Sequence, residues 1–324
     1  MNHDDLMRKC IELAKRGAGS VSPNPLVGCI VLDAHGNEIS SGFHEKYGGN
    51  HAERNALQGV EAKGGTLIVN LEPCSHNGKT LPCTDLIIEK GIKRVVIGMR
   101  DPNPLVNGVK QLREAGIDVI EGILEDECQR LNEIFIVNQT EHRTFVALKT
   151  ATTLDGKTAT ANGSSKWITS EAARTEVRNI RQRYDAIMTT SATILADDPT
   201  MEHKRKIILD RNSRLTGNEK IFQKGKIIRH CERSEAIQLL KTLYEQGIMS
   251  VLIEAGGRFN GEMLQYTDKI YHFIAPKITG DNSAKSCFDF RKITDINDCL
   301  DFRINSIETS GPDVLLTYYP FSIK

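Results

Sequence analysis

The triplet His51-Ala52-Glu53 is followed by Pro73-Cys74 and then by Pro82-Cys83. One imidazole and two thiolates are borderline and soft donors that suit tetrahedral zinc, and three protein ligands leave the fourth position open to water. An open position makes a catalytic site, because bound zinc lowers the pKa of that water toward ~7. Glu53 lies two residues beyond His51, so on the first turn of a helix it sits beside the metal without ligating it and can move protons. The competing readings are a closed structural zinc and unliganded core thiols. A structural zinc has no use for the carboxyl of Glu53. His76, two residues after Cys74, would close the site as a fourth ligand, so a hydrogen-bonding or substrate-lining role is expected of it. Cys10, Cys29, Cys128, Cys231, Cys287 and Cys299 read as buried small hydrophobes.

Two kinds of element must bring these side chains together. Segments 51–58 and 84–90 read as helices, so both parts of the ligand set fall at helix starts, where partial positive charge favours thiolate over thiol. Leu6, Cys10, Leu13 and Ala14 recur at helical spacing, and Gly17 and Gly19 end that helix. Segments 27–32 and 38–43 flank a turn and read as a hairpin, and 66–71 and 94–99 are short apolar strands. The chain turns polar over 138–144 before a new strand at 145–150, which divides it into expected domains 1–143 and 144–324. A second alternating series follows, with strands at 186–189, 207–210, 250–254 and 269–275. Its helices are expected at 170–183, capped by Ser170, and at 233–245. Strands alternating with helices build sheets covered on both faces, an α/β class.

Composition agrees with two such domains. A chain of 324 residues exceeds one ordinary core at ~100 to 200 residues per domain. Its 42 basic and 42 acidic residues cancel, so no standing positive field gathers nucleic acid or anionic lipid, and neither is expected as a partner. With 39% hydrophobic and 26% charged residues, and only 10 Pro and 26 Gly, collagen-like and largely disordered chains are excluded. No stretch approaches the ~18 to 20 apolar residues that span a bilayer. The first residues are acidic and lack a hydrophobic secretory core, so the cytoplasm is expected, where eight sparse cysteines stay reduced.

A His-x-Glu followed by Pro-Cys and a second Cys is the general signature of zinc nucleobase deaminases. That signature has two residues between its cysteines, whereas segment 75–82 supplies eight here. Read in full, Glu72-Pro73-Cys74-Ser75-His76-Asn77-Gly78-Lys79-Thr80-Leu81-Pro82-Cys83 resembles the bifunctional deaminase-reductases of bacterial riboflavin biosynthesis. Pro23-Asn24-Pro25-Leu26-Val27-Gly28 and Gly42-Phe43-His44 match the deaminase half of that family. Leu148-Lys149, Leu154-Asp155-Gly156, Ser165-Lys166-Trp167-Ile168-Thr169, Ala196-Asp197-Asp198-Pro199 and Glu254-Ala255-Gly256-Gly257 match its reductase half.

The resemblance implies a cytidine-deaminase-like three-layer α/β/α domain followed by a dihydrofolate-reductase-like α/β domain, with Zn2+ and NADPH as cofactors and a homo-oligomeric assembly. It implies hydrolytic deamination of 2,5-diamino-6-(5-phosphoribosylamino)pyrimidin-4-one, then reduction of the ribosyl group of 5-amino-6-(5-phosphoribosylamino)uracil to ribityl. His51, Cys74 and Cys83 are then the zinc ligands and Glu53 the catalytic proton shuttle. Asn24 and His44 would contact the pyrimidine, and Lys79 the phosphate. The implied dinucleotide site comprises Ala151, Trp167, Thr193, Asp197 and the run Gly256, Gly257, Arg258, Phe259, Asn260, Gly261 and Glu262. Implied substrate positions in that half are Ser165, Arg181, Met201, Lys204 and Glu254.

The residues themselves leave several of these roles open. Asn24 beside prolines can hold a pyrimidine edge or fix a turn. Lys79 can be a solvated loop lysine, Trp167 a core anchor, and Arg181 a solvated helix residue or a phosphate fork. Gly256-Gly257 before a helix expected at 259–265 admits a pyrophosphate or is a tight connection only, and it lacks the G-x-G-x-x-G fingerprint. After Pro199 the family has a longer segment containing an arginine that contacts substrate. Here the segment shortens to Thr200-Met201-Glu202-His203-Lys204-Arg205-Lys206, with Lys204 at the arginine's approximate place and Arg205 beside it. Lysine cannot reproduce a bidentate fork. A deaminase of another nucleobase, including adenosine in RNA, is the alternative within the same chemistry. RNA editing would call for a basic surface or stacking aromatics, and this chain is neutral with 6% aromatic residues. A nonenzymatic structural-zinc nucleotide sensor is the alternative outside it.

Overall fold

A computed structural model of the chain describes residues 2–75, 82–231, 235–289 and 291–321. Its contacts divide it into two units, Met1–His142 and Arg143–Lys324. The first unit runs α1 (His3–Lys15), β1 (Gly28–Leu32), β2 (Glu38–Phe43), α2 (Ala52–Leu57), β3 (Thr66–Leu71), α3 (Cys83–Glu89), β4 (Arg94–Met99), α4 (Gly108–Glu114), β5 (Asp118–Ile120), α5 (Glu125–Leu131) and α6 (Glu133–Glu141). The strands form one sheet in the order β2-β1-β3-β4-β5. β1 is antiparallel to both of its neighbours, and β3, β4 and β5 are parallel.

The strand residues are apolar on both faces, as β1 and β3 show, because helices cover both faces of the sheet. Helix α1 approaches β1 so closely that a Cβ on Gly28 would lie 2.1 Å from the carbonyl oxygen of Cys10, so this position takes glycine alone. Buried Cys10, Cys29 and Cys128 belong to this core. The polar run 138–144 does not form a linker along its length: Asn138–Glu141 complete α6, and the chain leaves the helix at His142 in a left-handed conformation.

The second unit runs β6 (Phe145–Thr153), β7 (Lys157–Ala159), α7 (Glu171–Gln182), β8 (Ala186–Thr190), α8 (Ser191–Asp197), β9 (Arg205–Leu209), β10 (Lys226–His230), α9 (Ala236–Glu245), β11 (Ser250–Ile253), α10 (Gly257–Met263), β12 (Lys269–Ala275), β13 (Lys285–Ser286), β14 (Phe302–Ser310) and β15 (Asp313–Pro320). An eight-stranded sheet has the order β10-β9-β8-β11-β6-β12-β15-β14, parallel from β10 through β12 and then antiparallel. Helices α9 and α10 pack Leu239, Leu240, Leu243 and Met263 on one face, while Ile194 of α8 packs with Ile187 and Ile208 of the sheet. Ser170 caps α7 by accepting from the Ala173 N–H, as its residue type predicts. Cys231 and Cys299 are exposed and Cys287 is only partly covered, which corrects their reading as buried hydrophobes. They fall on connections around short elements, where no core closes over them. Among the described residues no helix is long and apolar enough to cross a membrane.

Candidate functional site

Strands β3 and β4 end side by side, and the chain beyond β3 carries Cys74. His51 is the residue immediately before α2, and Cys83 opens α3. The Nδ1 of His51 lies 3.5 Å from the sulfur of Cys74 and 3.5 Å from that of Cys83. All three donor atoms fall within 4.8 Å of one another. Tetrahedral zinc, with bonds of about 2.3 Å to sulfur and about 2.0 Å to nitrogen, separates such donors by about 3.5 Å, so the set fits that ion. The Cys83 N–H donates to the Cys74 sulfur at 3.3 Å. A hydrogen bond from the Cys83 thiol lowers the Cys74 pKa well below the ordinary thiol range, and the same bond together with burial raises that of Cys83. The pairing favours the thiolate form of one sulfur, the form that binds metal.

Glu53 stands in the first turn of α2 and is buried at 3% exposure. Burial first, and then the charge on Cys74, pushes its carboxyl up to about 7. It faces a cavity of about 360 Å³ whose lining also includes His51, Cys74, Asn24 and His44. His44 is buried, and its Nδ1 lies 2.8 Å from the carbonyl oxygen of Asn50. Because that oxygen can only accept, Nδ1 carries the proton and Nε2 is left to accept from the Asn24 amide nitrogen, 3.0 Å away. Burial lowers the His44 pKa and keeps the ring neutral. Asn24 therefore presents its carbonyl oxygen as the group still able to receive a donor.

Three supporting residues escaped the reading of the sequence. Asn70, fully buried in β3, accepts from the Gly28 N–H and donates to the Leu26 carbonyl. Asn132 accepts from the Leu26 N–H at 2.8 Å, so the two amides fix the segment that carries Asn24. Glu72, also buried, accepts from the N–H groups of Val109 at 2.9 Å and Asp101 at 3.2 Å. A polar residue inside an apolar strand signals that it has a partner, but its sequence position does not name that partner. Lys79 and His76 lie outside the described residues.

In the second unit the carboxyl ends of β6, β8 and β11 border a cavity of about 770 Å³. It gathers Ala151, Ser165, Trp167, Arg181, Thr193, Asp197, Met201, Glu254, Gly256, Gly257 and Asn260. Arg258, Phe259 and Glu262 instead line an adjoining cleft that shares Gly256 and Gly257, and Gly261 borders a third. Glu254 is held by Arg181 through two bonds of 2.6 and 2.9 Å and by Lys149 at 3.4 Å. Burial would raise the Glu254 carboxyl, yet Lys149 and Arg181 bring it down to about 2. Ser165 donates to Asp197 at 2.6 Å, and Thr190 caps α8 through the Thr193 N–H. Trp167 has a φ of 67°, a left-handed backbone unusual outside glycine, and is 67% exposed. The helix starting at Gly257, with open space at Gly256, leaves bare backbone facing the cleft, and the Asn260 Oδ1 is buried without a partner. These features fit a dinucleotide's phosphates and amide.

Lys204 does not line either cavity. The short segment before β9 leads directly into sheet pairing, where the Lys204 carbonyl accepts from the Lys226 N–H at 2.8 Å, and its side chain is on an exposed residue. Arg205 is the first residue of β9 and also lies outside the lining.

Residues 1–99 match the family described as the cytidine and deoxycytidylate deaminase zinc-binding region, and residues 144–316 match the RibD C-terminal domain. The riboflavin biosynthesis protein RibD of Actinobacillus pleuropneumoniae is 38% identical, over 98% of this chain and 95% of that protein. RibD of Escherichia coli K12 is 34% identical, over 98% of this chain and 99% of that protein. The crystal structure of a diaminohydroxyphosphoribosylaminopyrimidine deaminase/5-amino-6-(5-phosphoribosylamino)uracil reductase from Thermotoga maritima matches with a TM-score of 0.90 at 40% identity, covering 98% of this chain and 99% of that one. Ligand chemistry, two separate units and full-length similarity agree: the chain belongs to the RibD family of riboflavin biosynthesis, bifunctional enzymes that join a zinc-binding, cytidine-deaminase-like domain to an NADPH-dependent reductase domain of dihydrofolate-reductase-like fold.

Proposed function

We propose that residues 1–143 deaminate 2,5-diamino-6-(5-phosphoribosylamino)pyrimidin-4-one and that residues 144–324 reduce the ribosyl group of the resulting 5-amino-6-(5-phosphoribosylamino)uracil. The observation that carries this reading is the convergence of the His51, Cys74 and Cys83 donor atoms at a cavity that His51, Cys74 and buried Glu53 line. The activities named for the Thermotoga maritima protein support the choice of substrate.

His51, Cys74 and Cys83 would hold zinc, which when bound supplies an acidified water at the open position. Glu53 takes one proton from the attacking water and passes it to a ring nitrogen, then takes the remaining proton of the added hydroxyl and delivers it to the amino group, so that the carbonyl forms as ammonia leaves. Its pKa of about 7 suits both directions of transfer. The Asn24 carbonyl oxygen receives a pyrimidine donor, with His44 holding the amide in that orientation. Lys79 is assigned to the phosphate.

In the second unit NADPH, when bound, supplies the hydride. Ala151, Trp167, Thr193, Asp197 and the run 256–262 hold it, and Ser165, Arg181, Met201 and Glu254 receive the phosphoribosyl compound. The partner is this small molecule, with no nucleic acid or membrane, in a cytoplasmic homo-oligomer.

A coupled assay tests the pair of activities. The diaminopyrimidine should release ammonia with NADPH withheld, and NADPH oxidation should begin once it is added. Ammonia release without subsequent oxidation would remove the reductase assignment, and no ammonia from this substrate would remove the first.

A further inference from the structure

We propose that Arg178 is the phosphate anchor of the second unit's cavity, acting beside Arg181. The inference rests on that cavity being the phosphoribosyl reductase site. A phosphate dianion is best met by the planar fork of an arginine. The shortened segment before β9 offers none. Its Glu202 lines the cavity with a carboxylate, and Lys206 is buried, donating to the carbonyls of Thr200 at 2.9 Å and Ile221 at 2.8 Å. Lys204 and Arg205 lie outside the lining.

The cations that do line the cavity are unequally committed. Lys149 and Arg181 share the Glu254 carboxylate. Arg174 lies over the Trp167 ring at 4.2 Å and donates to the Thr169 carbonyl at 2.8 Å. Lys285 lines both this cavity and the adjoining cleft at Gly256 and Gly257, on the dinucleotide's side. Lys166 offers a single ammonium group and no fork.

Arg178 holds no buried carboxylate, and it shares the exposed Glu171 with Arg174, which is tied further to Trp167 and Thr169. Its ion pair is with Glu171 at 3.3 Å, a carboxylate 71% exposed, and its other bond is to the nearby Thr175 hydroxyl. Such an exposed pair is weak and gives way to a doubly charged ligand. Arg178 precedes Arg181 by three residues on α7, so the two share a face and are separated by about 4.5 Å along the axis. The Arg181 side chain is 17% exposed and that of Arg178 is 50% exposed, which places the first toward the floor and the second toward the mouth. A ribose seated on Arg181 and Glu254 would then turn its phosphate to Arg178.

The test uses the full chain loaded with zinc and compares the aminouracil substrate with the same compound lacking its phosphate. Arg178→Ala should raise the reductase KM for the phosphorylated substrate at least tenfold with kcat changed less than twofold, and Arg178→Gln should do the same. On the dephosphorylated compound both variants should match the wild type, because the group they would bind is missing. An equal loss on both compounds, or no change on either, would overturn the assignment. So would a rise in KM in Lys204→Ala without one in Arg178→Ala, which would return the anchor to the loop. Failure of the wild type to oxidise NADPH with either compound would instead overturn the underlying reading of the cavity.

Discussion

Glu53 combines near-complete burial with a pKa of about 7, and it lies two residues beyond His51 in the first turn of α2. Glutamine keeps its size and removes the titratable carboxyl. Glu53→Gln should cut ammonia release by ~10² to 10⁴, the usual span for a positioned acid or base, while one zinc per chain remains by elemental analysis. Metal lost together with activity would mean that the carboxyl is structural. At this scale the sequence was most legible where donor chemistry is narrow. An imidazole and two thiolates close in space admit few readings, and their segments could be found by inspection. Asn24 and Lys204 were harder, since amides and amines serve turns and solvent equally well. The Asn24 orientation depends on His44, Asn70 and Asn132, which come from three other stretches of chain.

Between strands and helices, Glu72 links the end of β3 to the Asp101 and Val109 N–H groups of the following connection and α4. A Cβ on Gly108 would come within 2.1 Å of the Pro73 carbonyl, so α4 begins directly against the segment that presents Cys74. Glu72→Ala leaves two backbone donors without their acceptor and loosens that seat. Zinc affinity should fall 10- to 100-fold, as for supporting residues of metal ligands generally, measured by competition with a chromophoric chelator. Unchanged affinity would make Glu72 irrelevant to the ligand geometry. Elements with strong apolar runs were read to the residue, as with β3, β4 and β12. The strand β14 was missed because it is largely exposed and carries a register shift between Ile304 and Ser306, which breaks the alternation that a strand needs to be seen. Its partner β15 went unread with it.

For the molecule as a whole, acid sensitivity should be concentrated where charges are buried. Glu254 has a folded pKa of about 2 against about 4.3 when unfolded, so the native state binds fewer protons between those values. Its stabilising contribution is complete above pH 4.5 and is lost as pH falls toward 2. Glu254→Gln removes the partner of Arg181 and Lys149, so the second unit should begin about 3 to 5 kcal/mol less stable at pH 7 and show a flatter decline below pH 4.5 in scanning calorimetry. Parallel declines in variant and wild type would deny Glu254 that role. The chain length and the alternating pattern forecast two α/β units, but they could not order eight strands, because pairing partners far apart in the chain leave no local mark.

Trp167 is the chain's one tryptophan, and its ring lies at the cavity rim against the Arg174 guanidinium in a left-handed backbone. Indole emission excited at the red edge of protein absorbance therefore originates from this one position. The protein thus carries a native optical reporter for the second unit's cavity, and a ligand that settles there should change this emission without an added dye.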